Sequence, residues 1–171
     1  MKKVLLIVAL LLAFTMIFSS CGGEKNETPV EQGIVEAPAS ASVDIHAVMD
    51  EITSAVEMPQ EVLELKTNED LSDYLYVDGS LVKDFAVKMD SSNIGTMLVI
   101  IEANDSASAQ QVAEKLEKKV ADDIDTYQSY NPDYAGMLKD SNVNIDGNLV
   151  SLFVSKQADE IIGIYNSYIN K

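Results

Sequence analysis

The chain has 171 residues, a formal net charge of −16 and no arginine, its 12 basic residues being lysines set against 28 acids. An acidic chain of this kind is repelled by phosphate backbones and lacks the guanidinium forks that clamp phosphate or carboxylate, so nucleic acid is excluded as a partner class. A single cysteine excludes an intramolecular disulfide, and a single histidine with no cysteine cluster excludes a zinc site.

Met1-Lys2-Lys3 is a short positive stretch, and Val4 to Phe18 is apolar apart from Thr15. That run is too short for a comfortable membrane span and reads as a signal peptide over residues 1–20. Ser19 and Ser20 supply small residues before Cys21. Phe18-Ser19-Ser20-Cys21 resembles a lipobox, with Phe18 where that motif usually carries leucine, and the resemblance implies lipidation of Cys21. All 28 acids remain after removal of the leader, while Lys2 and Lys3 leave with it. The expected location is therefore the extracytoplasmic side of the cell membrane, reached through a lipid anchor. Residues 22–43 are rich in Gly, Pro, Ser, Ala and acids, too polar to bury their own surface. With Cys21 they read as a lipidated tether over 21–43, followed by one domain over 44–171.

Asp44 is placed to cap a helix whose apolar stripe is Ile45, Val48, Met49, Ile52 and Val56. Met58-Pro59 stops it. Glu61 to Lys66 has no decisive period. A short helix is expected over 67–76, then a turn at Val77-Asp78-Gly79-Ser80. Four strands follow, lettered here a (84–90), b (95–103), c (142–146) and d (147–154). Between b and c lies a long helix reaching Tyr130, with Ala109, Val112, Ala113, Leu116, Val120, Ile124 and Tyr127 on its apolar side. Its other side carries Glu114, Lys118, Asp122 and Asp123, read as a solvated face with a Glu114–Lys118 pair. A turn of helix over 134–139 and a last helix over 156–169 complete the pattern. Asp146-Gly147 marks the hairpin between c and d.

The expected fold class is α+β, a four-stranded antiparallel sheet with ββαββα order. Strands b and d are the most apolar, so the predicted spatial order is c-d-b-a with a and c at the edges. The helices 106–130 and 156–169 are expected on one face. Strand b is apolar on both sides, so the second face needs cover, and the helix 45–57 is the candidate for it.

Little in the chain suggests catalysis. His46 stands at a helix start and reads as a surface residue. Asn142-Val143-Asn144-Ile145-Asp146-Gly147 partly imitates a calcium loop, but Phe153 stands where the bidentate glutamate belongs, and a hairpin explains the same residues. No cofactor is expected. The favoured function is a non-enzymatic binding or accessory role toward an unknown protein or cell-wall partner. The alternative is a cell-wall-directed hydrolase using paired carboxylates. Tyr127, Tyr130 and Tyr134 form the candidate partner-binding group, set against a purely structural reading in which they cap one end of the core.

Four features together carry a family resemblance: the Met97-Leu98-Val99-Ile100-Ile101-Glu102-Ala103 strand, the long charged helix, Tyr130-Asn131-Pro132-Asp133-Tyr134, and Gly147-Asn148-Leu149-Val150-Ser151-Leu152-Phe153-Val154-Ser155. From about Asn68 to Ile169 the chain resembles a family of Gram-positive lipoproteins. Their shared C-terminal domain is catalogued as domain of unknown function 4358. The resemblance implies a location and domain limits, and no mechanism.

Overall fold

In the computed structural model the described residues are 43–92 and 94–170. The signal segment, Cys21 and the tether up to residue 42 lie outside them.

Asp44 caps α1 (Ile45–Ala55) by accepting the backbone N–H groups of His46 and Ala47, each at 3.1 Å. This satisfies two of the orphan donors of the first turn. β1 (Val62–Glu64) follows, then α2 (Asn68–Leu75). α2 opens on a reciprocal capping box between Thr67 and Asp70, and it stops at Tyr76, whose φ of 63° is left-handed. A 3₁₀ turn (Gly79–Leu81) leads into β2 (Val82–Asp90), β3 (Met97–Ala103) and α3 (Ser106–Tyr127). Pro132 occupies the first turn of α4 (Pro132–Asp140), where its missing N–H costs nothing. β4 (Val143–Asp146), β5 (Leu149–Val154) and α5 (Ala158–Ile169) end the fold.

The strands form one antiparallel sheet in the order β1-β2-β3-β5-β4. The expected count of four strands is thus corrected to five. The added strand is β1, three residues long, which pairs with the end of β2 from Lys88 to Asp90. It came from the stretch 61–66 that had no readable period, because three residues are too few to show an alternation of two. The two-residue loop between β4 and β5 is Gly147-Asn148, one residue later than the Asp146-Gly147 centre expected. Gly147 has φ +64° while Asn148 does not have positive φ, as a type II′ hairpin turn requires.

Both faces of the sheet are covered. On the first face, Val87, Met89, Met97, Val99, Ile101, Val150, Leu152 and Val154 pack beneath α2, α3 and α4. On the second, Ala86, Leu98, Ile100 and Phe153 pack beneath α1 and α5. The helix α1 therefore lies where the sequence placed it, but α5 does not. The two C-terminal helices sit on opposite faces, against the expectation of a shared one. The reason is one of area. An 11-residue helix is only about 16 Å long and cannot span the whole second face. α1 packs against β2 and β3, while Phe153 on β5 needs its own cover and receives it from Ile161 and Tyr165 of α5. The two helices are tied together by Glu57 N–H donating to Gln157 Oε1 at 2.8 Å and by the Tyr168 hydroxyl donating to Glu51.

The polar side of α3 also departs from the sequence reading. Asp123 is only 8% exposed and pairs with Lys119. The exposed pair on this helix is Lys118 with Asp122 at 2.6 Å, not Glu114 with Lys118. Both lysines lie over the ring of Tyr76, 5.6 and 6.0 Å from its centroid, which draws that side of the helix against the end of α2.

Candidate functional site

The three tyrosines singled out from the sequence do meet. Tyr127 is the last residue of α3, and its carbonyl accepts the N–H groups of Tyr130 and Asn131 as the chain turns into α4. The rings of Tyr127 and Tyr130 are 5.1 Å apart and those of Tyr127 and Tyr134 are 5.2 Å apart, tilted and edge-on. Exposure is graded across the group. Tyr134 is buried at 3%, Tyr127 is half-buried, and Tyr130 stands 65% exposed. Burial, aided by the Asp123 charge, pushes the Tyr134 phenol well above the usual tyrosine range. Of the three, Tyr130 is the most open to another molecule.

His46 lies at the start of α1 and its Nε2 is 3.2 Å from both carboxylate oxygens of Asp84 on β2. Asp84 Oδ1 also accepts the Phe85 backbone N–H at 2.8 Å. Phe85 stands two residues before Val87, whose carbonyl receives the Leu65 N–H from the β1 side. Phe85 therefore points its backbone toward the same sheet edge, at a place that β1 is too short to reach. The carboxylate closes an edge donor that would otherwise invite another strand. A cleft of about 390 Å³ opens here, and its rim carries the ion pairs Lys88–Asp50 and Lys66–Glu64. Its lining residues include no serine, threonine, tyrosine or cysteine. The His46–Asp84 contact joins the start of α1 to β2.

A second cleft, of about 370 Å³, lies between α5 and the edge strand β4 on the second face. β4 turns Val143 and Ile145 to the first-face core and Asn144 and Asp146 to the other side. α5 does not lie down over that polar side, and Asn142, Asn144 and Asp146 stay exposed. Asp140, the last residue of α4, adds a second carboxylate to the rim. At the floor, Ser151 interrupts the apolar run of β5. It is paired in register with Asn144 on one side and Ile100 on the other, and it is 0% exposed.

The Ser151 hydroxyl has no hydrogen-bond partner. It faces the Tyr165 phenol closely enough to influence it, but the two do not stand in hydrogen-bonding geometry. Tyr165 Oη instead donates to Asp146 Oδ2 at 3.2 Å. Burial pushes the Tyr165 phenol well above its usual range, and the Asp146 charge adds to the rise. An unpaired buried hydroxyl costs about 1–3 kcal/mol, so a serine here is a stability cost that an alanine would not carry. Among the described residues it is the one buried side-chain polar atom left without a partner.

This grouping of Asp140, Asp146, Ser151 and Tyr165 was not read from the sequence. The available signal was Ser151 itself, a polar residue at the centre of a strand apolar on both sides. The residues that imitate a calcium loop, Asn142 to Gly147, form the hairpin arm of this cleft. No group of three or more His, Cys, Asp or Glu able to hold a metal ion occurs among the described residues.

Residues 54–155 match the model of a domain of unknown function, DUF4358, which covers more than half of the chain. The chain belongs to that family. The matched stretch holds the whole sheet with α2, α3 and α4. It begins at the last turn of α1 and ends before α5. No curated protein and no solved structure matches the chain.

Proposed function

We propose that this member of the DUF4358 family is a lipid-anchored, extracytoplasmic binding domain, carried on the membrane surface by Cys21 and acting on a partner or ligand without chemistry of its own. The observation that carries the reading is the position of the lone cysteine. It follows a charged start, an apolar run and two serines, and it precedes by some twenty residues the first described residue, Val43, which packs against the second-face core. The resemblance to Gram-positive lipoproteins supports the same address. No described helix is long and apolar enough to cross a membrane, and the domain's acidic surface would not adhere to anionic headgroups by itself. A lipid on Cys21 supplies the membrane affinity that the folded domain lacks.

The test is incorporation of a labelled fatty acid by cells expressing the chain. The wild type should be labelled and found with membranes. Cys21→Ala should lose the label and either accumulate as precursor or be released. Unchanged labelling of the alanine variant would overturn the anchor.

A second reading has one observation in its favour: Asp140 and Asp146 line the same cleft, as a hydrolase using paired carboxylates requires. If that reading held, Asp140→Asn would abolish release of fragments from purified cell wall. The binding reading expects no such release from the wild type.

A further inference from the structure

We infer that the cleft between β4 and α5 binds a small organic cation, an ammonium group carried beside one or more hydroxyls. This rests on the reading of the domain as a binding module, and it adds the place and the chemical class.

The charge of the cleft selects a cation. Asp140 and Asp146 line it, and no lysine or histidine does. An ammonium is compact and needs only two or three acceptors, which a carboxylate and neighbouring carboxamides can supply. A bare metal ion asks for a denser set of anionic ligands than the described residues gather anywhere. The carboxamides of Asn142 and Asn144 both donate and accept, which suits hydroxyl groups beside the cation. A volume of about 370 Å³ fits a ligand of monosaccharide size or smaller.

The floor explains why binding would be favourable. Tyr165 now donates its only O–H to Asp146, and the Ser151 hydroxyl behind it is unpartnered. An ammonium reaching Asp146 replaces the phenol as donor to that carboxylate. The phenol is then free to turn toward Ser151, and the buried hydroxyl gains in the bound state a partner that it lacks in the free one. An unpaired serine at the centre of β5 is difficult to explain as packing, and it is explained by a bound state that completes it. Ile162, 39% exposed on the α5 wall, gives the carbon side of such a ligand an apolar surface.

The test uses the full chain in detergent and three isosteric pairs: ethanolamine against ethylene glycol, serinol against glycerol, and glucosamine against glucose. Titration is followed calorimetrically at slightly acidic pH, where the amines are charged. At least one amine should bind saturably, and its neutral counterpart at least about tenfold more weakly. Asp146→Asn should weaken the amine about tenfold or more, and so should the exposed-rim variant Asp140→Asn, which carries no folding risk of its own. Ser151→Ala should weaken it several-fold while leaving the thermal midpoint unchanged or higher. Equal binding of amine and neutral partner would overturn the cation assignment, and absence of saturable binding across the panel would overturn the site. A lowered midpoint in Ser151→Ala would make the serine a packing residue and remove the floor from the argument. None of these outcomes bears on the lipid anchor, whose own test is the labelling of Cys21.

Discussion

The two faces of the sheet are built differently. The first is covered by α2, α3 and α4, all inside the segment that matches the family, and its core runs from β2 to β4 without an open side. The second is covered by α1 and α5, which lie almost wholly outside that segment at the two ends of the domain. They meet over the centre of the sheet and leave its margins uncovered. Both clefts lie on this face, one beside each edge of the sheet. The lesson is that a two-sided sheet can place its stability on one face and its openings on the other. The flanking helices α1 and α5 form the walls of the two clefts.

The largest expected effect follows from this asymmetry. Leu116 of α3 and Ile161 of α5 are both 0% exposed and each is central to its own layer. Leu116→Ala leaves a cavity enclosed on all sides and should cost about 3–5 kcal/mol. Ile161→Ala opens beside a cleft that can relax or admit water, so its cost should fall near the lower end, about 2–3 kcal/mol. Urea unfolding of both variants checks the difference through their midpoints. Equal costs, or a larger one at Ile161, would break the contrast between the faces.

A smaller effect is expected where the hairpin forms the arm of the second cleft. Gly147→Ala places a side chain at φ +64°, a region that L-residues occupy at a cost of roughly 1–2 kcal/mol. The same unfolding measurement should show that loss. Because β4 is an edge strand with β5 as its one strand neighbour, the amides of 143–146 should also exchange faster in the variant. Unchanged exchange there would mean that the turn does not control the arm.

Acid should act on the first-face layer through its caps. The Asp70 carboxyl is held below its ordinary value of 3.8, first by the backbone N–H of Lys66 and then by that of Thr67. Asp105 is held low by the Ser108 N–H at the start of α3. A group whose folded pKa is depressed stabilises the fold above its unfolded pKa, and that contribution is lost as pH falls through the lower folded value. The first turns of α2 and α3 should therefore keep their amide protection down to about pH 4 and lose it progressively below. Asp70→Asn should make the first turn of α2 less protected at neutral pH and less sensitive to acid. A variant that keeps the full acid dependence would assign the loss to other groups.

Much of this architecture was legible in the sequence, and what was not has identifiable physical reasons. The apolar stripes of α1 and α3 found both helices, and Asp44 marked the start of α1 through the side chain that caps it; the caps Thr67 and Asn131 were not singled out. The apolar runs of β3 and β5 placed both strands inside the sheet. A stripe, however, says which side of a helix is buried and not which face of a sheet buries it, and so α5 was misplaced. β1 has no period to read in three residues. Asp123 looked solvated because helix spacing cannot show that Lys119 and Tyr76 close over its side of α3. The candidate cleft was hidden for a related reason. Its acids come from the end of α4 and the end of β4, and its phenol from α5, so their approach depends on the face that α5 takes.

The smallest expected effect decides what the tyrosine group is for. Tyr134 is buried at the end of the first-face core, and Tyr134→Ala should cost about 3–5 kcal/mol as a large aromatic removed from a packed site. Tyr130 rests on Tyr127 through a ring contact and its own backbone N–H, and is 65% exposed. Tyr130→Ala should change stability by no more than about 0.5 kcal/mol. A loss that small would leave the aromatic residue there unexplained by stability. A ring of that size left in water at a helix junction is the kind of group that anchors a partner, where burial and an edge-on contact together are worth far more than the free protein gains from it. Crosslinking on intact cells compares the two roles directly, with a photoreactive group placed at Tyr130 and, as a control, at the exposed Lys118 of α3. A discrete adduct from position 130 and none from 118 would make the group a docking point at the closed end of the first face. Equal or absent adducts at both positions, with a stability cost well above the expected value in Tyr130→Ala, would reduce all three tyrosines to a plug.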